Sequence, residues 1–305
     1  MNTLLVVGSA NADHVLAFST LPKPGETLMS QQYRLELGGK GANQAVAAAR
    51  LKTPKQQVEF ICALGDDGNA RLMRDAWQSD GVILSGCYDI AGQNTGTAMI
   101  FVSEKGENSI GVVAGANACL TPAHIVQQQR LFDLASYLLI QLETPIDTVA
   151  TALRLAKQHD CTTILNPAPA ATLPSELLSL VDIITPNETE AQALTGITVT
   201  DTHSAALAAN KLHQYGIGTV IITLGSQGAY VSVQTDSERY NRLIAAFPVT
   251  AIDTVAAGDT FNGALMVALD EGLSMIEAVS FANQASAIAV TRHGAQRGIP
   301  YRAEL

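Results

Sequence analysis

Basic residues, aromatic residues and cysteine are all scarce in this chain. Its 305 residues hold 18 Lys+Arg against 28 Asp+Glu, a formal net charge of −10, and aromatics make up 5%. A chain so short of Lys and Arg is not expected to bind nucleic acid or an anionic membrane non-specifically, since both need clustered positive charge. The four cysteines, Cys62, Cys87, Cys119 and Cys161, form no CxxC pair, which argues against a cysteine zinc site and a disulfide scaffold. No apolar run approaches the ~18 residues of a membrane span. The start reaches Gly8 after four apolar residues and has no basic flank, so it does not read as a signal peptide. HExxH, GxSxG and the Walker A pattern GxxxxGK[ST] are absent, which removes zinc-protease, serine-hydrolase and P-loop readings. What remains is 47% hydrophobic and 15% charged, a composition that builds a large core. A reduced, cytoplasmic metabolic protein is the expectation.

Short runs rich in Val, Ile and Leu recur at Leu4–Val7, Val58–Ala63, Tyr137–Leu142, Thr163–Asn166, Val181–Thr185 and Val220–Thr223. Apolar on both faces, they read as buried parallel strands. Helical patterns lie between them, including Gly41–Leu51, Ile146–Gln158 and Ser204–Tyr215, the last with Leu207, Ala208, Leu212 and Tyr215 on one face. Strand alternating with helix predicts an α/β fold, a mostly parallel sheet covered by helices on both faces. Two stretches break the rhythm: His14–Leu37, and a hairpin of Thr97–Val102 and Ser109–Val113 around Glu104–Asn108. They predict a small β-sheet lid formed by about 14–37 and 97–113, or else a surface decoration or dimer patch. With no repeat or linker, one domain over 1–305 is expected.

Several segments can carry chemistry. Gly38-Gly39-Lys40-Gly41-Ala42-Asn43-Gln44 opens an Ala-rich helix, where glycines allow a ligand close to backbone N–H groups while Lys40 and Asn43 add directed hydrogen bonds. It also reads as a plain strand-to-helix turn. In Asp253–Gly263, the small residues Ala256, Ala257 and Gly258 expose N–H groups at a helix start, suited to charge developing on a transferred phosphoryl group. Asp259, with no cation beside it in sequence, can accept a proton from an attacking hydroxyl, or merely cap the helix. Asn187 and Glu190, three apart, can hold Mg²⁺ through its waters, or form a capping box. Thr223-Leu224-Gly225-Ser226-Gln227-Gly228 is a glycine turn after a strand. Asn11, Asp13 and Glu143 are placed at strand C-terminal ends, where open α/β sheets bind ligands and where amide and carboxylate suit sugar hydroxyls.

Taken together these segments resemble the ribokinase-type carbohydrate kinases. The signatures at 38–44 and 253–263 are joined, in the family's order, by Gly65-Asp66-Asp67-Gly68, Gly115-Ala116-Asn117, Asn187–Glu190, Thr223-Leu224-Gly225 and the tail Ala287–Ala295. The resemblance implies transfer of the γ-phosphoryl group of ATP to the 5-hydroxyl of D-ribose. It further implies that Asn11, Asp13, Gly39, Lys40, Asn43 and Glu143 bind sugar, with Asp259 as general base and the backbone of Ala256, Ala257 and Gly258 as anion hole. Asn187, the Thr223–Gly228 loop, Gly258 and Asn283 would bind nucleotide, and Asn187 with Glu190 would serve Mg²⁺. Asp253, Val255, Ala289, Arg292, Gly294 and Gly298 would hold an activating K⁺, and the lid would form a homodimer contact.

Val255 stands where the family often has Thr, Gly298 where it often has Ser, and Ser232–Phe247 is longer than usual. A backbone carbonyl ligand would tolerate the first change; the second removes a side-chain oxygen. Two other readings stay open: a sister kinase acting on deoxyribose, fructose or a nucleoside, and a non-catalytic sugar-binding protein on the same fold.

Overall fold

In the computed structural model, which describes residues 1–105 and 107–305, the first half of the chain runs β1 (Asn2–Val7), β2 (Asn11–Phe18), β3 (Gln32–Gly38), α1 (Lys40–Leu51), β4 (Gln56–Gly65), α2 (Gly68–Ser79), β5 (Val82–Ile83), β6 (Cys87–Ile90), β7 (Gly96–Ser103) and β8 (Asn108–Val113). Next come α3 (Pro122–Gln127), α4 (Gln129–Leu134), β9 (Ala135–Ile140), α5 (Ile146–Gln158), β10 (Thr162–Leu165), α6 (Ser175–Leu178), β11 (Ile183–Ile184) and α7 (Glu188–Thr195). The last third holds α8 (Thr202–His213), β12 (Thr219–Thr223), β13 (Ala229–Gln234), β14 (Arg239–Ile244), α9 (Ala257–Asp270), α10 (Met275–Ala289) and α11 (Ala295–Gly298).

Ten strands form one sheet in the order β14-β13-β12-β11-β10-β9-β1-β4-β5, with β6 also paired to β4. All pairings are parallel except those of the β12–β13–β14 edge. The central strands bury both faces. Leu4 and Val6 of β1 enter a core with α1, α2, α9 and α10, while Leu5 and Val7 enter the opposite core with α3, α4, α5, α7 and α8. Period-two alternation sends successive side chains to opposite layers, so a strand sandwiched by helices must be apolar throughout. The strand order reverses beside β1, which pairs with β4 on one side and β9 on the other. Such a reversal opens a crevice at the strands' C-terminal ends. A separate four-stranded sheet, β3-β2-β7-β8, stands over that end of the molecule.

Several expectations are corrected. Asn11 and Asp13 do not end a core strand: they open β2, so the small sheet begins at residue 11 rather than about 14, and the strands of its second part are Gly96–Ser103 and Asn108–Val113. The buried stripe of α8 is Ala205, Ala208, Ala209 and Leu212, whereas Leu207 is exposed, because at ~100° per residue it lies about 150° around the helix from the centre of that stripe. The run at 137–142 is strand only to Ile140. Much of the unexplained stretch 232–247 is a hairpin arm, β14 closing the edge of the large sheet against β13. Of the expected turn Glu104–Asn108, Gly106 lies outside the described residues.

Candidate active site

The crevice is made by two backbones crossing at close range. A Cβ on Gly41 would lie 2.6 Å from Gly8 C and Ser9 N, and the Gly41 position therefore admits nothing larger than hydrogen. Gly39, at φ +87°, turns the chain from β3 into α1 within the same crossing, a conformation that side-chain-bearing residues rarely adopt. This contact sets Lys40 N donating to Glu143 Oε2 at 3.0 Å, with Ser9 Oγ donating to the same oxygen at 2.6 Å. Asn117 Nδ2 donates to Asn11 Oδ1 at 2.8 Å and so fixes the amide beside Asp13.

Asp13 is largely buried, and its Oδ1 has no hydrogen-bond partner among the described residues. Burial, reinforced by Glu143 and Glu36, pushes its carboxyl up to about 7. An unpartnered buried acceptor is costly, and a ligand hydroxyl is what would satisfy it.

Asp259 sits in the first turn of α9, whose N-cap residue Ala256 has a left-handed conformation (φ 59°, ψ 13°) unusual for a residue other than glycine. It does not cap its own helix. Its Oδ2 accepts from Asn43 Nδ2 at 2.9 Å and its Oδ1 from Gln44 Nε2 at 3.0 Å. Burial pushes the Asp259 carboxyl above the ordinary range, against the opposing pull of Lys40, Asn43 and Gln44. The cation missing from its sequence neighbourhood is thus Lys40, brought from α1. Burial works against the Lys40 ammonium, but Asp259, Glu143 and Glu190 outweigh it and hold its pKa above the ordinary lysine value.

A cavity of about 200 Å³ lies in front of Asp259, bordered by Lys40, Asn187, Glu190, Thr223 and Ala256–Gly258. Asn187 and Glu190 form the capping box of α7: Asn187 Oδ1 accepts from Glu190 N at 2.8 Å, and Asn187 N donates to Glu190 Oε2 at 2.9 Å. The same two side chains line the cavity, so the structural and chemical readings of this pair coexist. Among the described residues no three His, Cys, Asp or Glu cluster as a metal site; a divalent ion here would keep water and phosphate oxygens as ligands.

A second, more apolar groove of about 520 Å³ meets the first at Thr254 and Ala257. Phe247, Pro248, Val249 and Ala251 form one wall; Asn283, Ala287 and Val290 form the other, with Gly225 and Ser226 also lining it. Asn283 Nδ2 donates to the carbonyls of Ile244 and Ala245 and so holds that wall in place. Beside the groove Asp253 ties two loops: its Oδ1 accepts from Val255 N and its Oδ2 from Gly294 N, both at 3.0 Å. At Gly298 a Cβ would lie 3.0 Å from the Ala289 carbonyl oxygen.

The family description "pfkB family carbohydrate kinase" matches residues 1–302. The chain belongs to this family. It is 48% identical over 302 residues to the ribokinase of Haemophilus influenzae, covering 99% of this chain and 96% of that protein. To the ribokinase of Staphylococcus aureus it is 42% identical over 306 residues, 100% of this chain and 98% of that one. Among solved structures, the Arabidopsis thaliana ribokinase complexed with ribose and ATP matches with a TM-score of 0.92 at 33% identity, covering 99% and 97% of the two chains.

In this carbohydrate kinase the residues picked out from sequence divide between places. Lys40, Asn187, Thr223, Glu190, Ala256, Ala257, Gly258 and Asp259 surround the first cavity, and Gly225, Ser226 and Asn283 line the second groove. Asn11, Asp13 and Glu143 gather at the glycine crossing; Asn43 turns its amide to Asp259. Leu224 is buried in the core, and Gly228, at φ +103°, packs against the Ile244 carbonyl, so neither lines a cavity. The Arg292 side chain pairs with Glu304 at 2.5 Å, which leaves only its backbone for the loop. Sequence reading missed Gln44, Asn166, Asn262 and the Phe247–Ala251 wall. Gln44 was visible inside the first signature, and the exposed apolar run after β14 was the signal for the wall.

Proposed function

We propose that this carbohydrate kinase is a ribokinase, transferring the γ-phosphoryl group of ATP to the 5-hydroxyl of D-ribose to give ribose 5-phosphate and ADP. The observation that carries this reading is the meeting of a polar, carboxylate-lined cavity with an apolar groove at the N-terminus of α9. The polar cavity, continued through Lys40 to the Asn11, Asp13 and Glu143 group at the glycine crossing, would take the sugar and the transferred phosphate, and the groove a nucleotide base and ribose; the phosphates would cross the helix start where first-turn N–H groups have no intrahelical acceptor. The two residue sets belong to one α/β domain over 1–305, with the small sheet as its lid.

Asn11, Asp13, Gly39, Lys40, Asn43 and Glu143 would hold the sugar. Asp259 would take the proton of the attacking hydroxyl, its raised pKa favouring that role, while Asn43 and Gln44 keep its carboxylate aimed. The backbone at Ala256, Ala257 and Gly258 would meet the charge developing on the phosphoryl group, as phosphoryl transfer asks chiefly for positioning and electrostatic stabilisation. Asn187, the Thr223–Gly228 loop, Gly258 and Asn283 would position the nucleotide. Bound Mg²⁺, reached through water by Asn187 and Glu190, would neutralise phosphate charge. K⁺ suits the loops joined by Asp253: the Asp253 carboxylate and the carbonyls of Val255, Ala289, Arg292, Gly294 and Gly298 are hard oxygen donors. The protein would be cytoplasmic; among the described residues no helix is long and apolar enough to cross a membrane.

An ADP-release assay with ATP and Mg²⁺ tests the reading, using ribose, 2-deoxyribose, fructose and adenosine with and without K⁺. Fastest turnover on ribose, rising with K⁺, is expected. Preference for another acceptor would move the substrate to a sister kinase, and ribose binding without turnover on any acceptor would leave a sugar-binding protein.

Asp13 supplies a pH-dependent check. Its folded pKa, about 7, exceeds the ordinary 3.8, so between these values the folded state binds more protons than the unfolded one. Stability of the sugar-free protein therefore falls as pH rises from about 4 to 7. Asp13→Asn should remove that slope, raising the melting temperature above pH 7 by roughly 2–4 °C per kcal/mol recovered. It should also weaken ribose binding by ~10²-fold through lost charge-assisted hydrogen bonds. Melting curves at pH 5 and 8, with calorimetric titration of ribose, read both; a wild-type slope in the variant would remove Asp13 as its source.

The lid also supports a homodimer. Every residue of β8 is exposed, and Ile110 and Val112, two apart on one face, are 54% and 63% exposed. Ile110→Asp is expected to weaken association at least ~30-fold, as for an interface hot spot. Sedimentation equilibrium that finds wild type and variant equally dimeric would place the interface elsewhere.

A further inference from the structure

Away from the crevice, the register of β4 and β6 sets Cys62 directly beside Cys87. Both side chains belong to the same core layer, Cys62 fully buried and Cys87 at its edge with partial exposure. The Cys62 S–H donates to Cys87 Sγ at 3.4 Å. Parallel neighbours ~4.8 Å apart fall inside the Cα separation that a disulfide spans, and the two sulfurs need close only to the ~2.05 Å bond length. Arg74, reaching from α2, lies beside Cys87 and is paired with Asp89 of the same strand at 2.5 Å.

We propose that Cys62 and Cys87 are a thiol pair that a hydroperoxide converts reversibly into an intramolecular disulfide. The accessible member is Cys87; Cys62 resolves it from beneath. The hydrogen bond from Cys62, with the Arg74 charge, holds the Cys87 thiol below the ordinary cysteine range, whereas burial pushes Cys62 well above it. This division of labour matches a sensing thiol next to a resolving one. In the first step the Cys87 thiolate attacks one peroxide oxygen: the S–O bond forms, the O–O bond breaks, and the departing oxygen takes a proton to leave as water or an alcohol. In the second, the Cys62 sulfur attacks the sulfenic sulfur, the S–S bond forms, and the hydroxyl leaves with the Cys62 proton as water. Two thiols lose two electrons and the peroxide gains them. Cys161 is no competitor, since burial pushes its thiol up to about 12. The affected strand matters structurally, because β6 leads through a turn held by Asp66 and Asp67 into β7 of the small sheet.

The test exposes the native protein to hydrogen peroxide, alkylates remaining thiols in denaturant and maps peptides by mass. The expected product is a linked peptide pair containing Cys62 and Cys87, two hydrogens lighter than its parts and separated again by dithiothreitol, with Cys161 still alkylated. In Cys62→Ala the lost hydrogen bond should slow the first step, but the sulfenic acid then has no resolving thiol, so after exhaustive peroxide treatment dimedone labels Cys87 ~10-fold more than in wild type. Free thiols at 62 and 87 while Cys119 is oxidised, a sulfinic acid on Cys87 without linkage, or a bond between two chains would each overturn the assignment. The wild-type map decides the question even where the alanine variant folds poorly.

Discussion

Asp259→Asn is expected to lower kcat by ~10²–10⁴, the usual effect of losing a general base, with a smaller change in ribose affinity. The structure adds a second consequence. Both carboxylate oxygens accept from amide N–H groups, Asn43 at Oδ2 and Gln44 at Oδ1. Neither amide is free to turn over: Asn43 Oδ1 accepts from Gln296 Nε2, and Gln44 Oε1 accepts from Gln141 Nε2. An asparagine at 259 must point its own NH₂ at one of these donors, at a cost of ~1–3 kcal/mol for the group left unpaired. The variant should thus be both slow and less stable. ADP release under saturating substrates, ribose titration and thermal melting separate the two effects, and turnover near the wild-type rate would remove Asp259 from the reaction.

Gln44→Leu is expected to produce a large loss of stability. Gln44 is fully buried, and its Nε2 donates to both Asp259 Oδ1 and Asn166 Oδ1, at 3.0 Å each. Leucine would leave three polar groups without a partner: Asp259 Oδ1, Asn166 Oδ1 and Gln141 Nε2. At ~1–3 kcal/mol each, discounted for relaxation, the loss comes to roughly 3 kcal/mol or more, with a melting point about 10 °C lower. Because Gln44 acts through Asp259, kcat should fall while the KM for ribose moves little. A melting temperature within the scatter of exposed-surface variants would show that the amide chain carries no stability.

How much of this was legible in the sequence varies with the physics of each feature. The central strands were visible because a strand packed on both faces must be apolar throughout, and Leu4–Val7 and Val58–Ala63 show that as unbroken runs. The edge hairpin was not, since β14, Arg239-Tyr240-Asn241-Arg242-Leu243-Ile244, is mostly exposed and mixes charged, polar and apolar residues without a clean period. Leu207 was assigned to the wrong side of α8 because an Ala-rich helix leaves few large residues to mark its buried face. The glycines at 38–41 were read as room for a ligand, whereas what lies against Gly41 is the Gly8–Ser9 backbone, a partner that local sequence does not name.

The same divide runs through the chemistry. Local order along the chain determined the alternation of strand and helix, the small-residue start of α9 with Asp259 in its first turn, and the Asn187–Glu190 cap. These follow from contacts a few residues long, which sequence spells out directly. Only the tertiary structure decided that Lys40, Asn43 and Gln44 converge on Asp259 from more than two hundred positions away. It alone joined the apolar groove to the polar cavity at Thr254 and Ala257, and set Cys62 against Cys87. Such pairings depend on strand register and on which helix lies over which face. No spacing within a linear chain records that information, because packing of the whole core selects it.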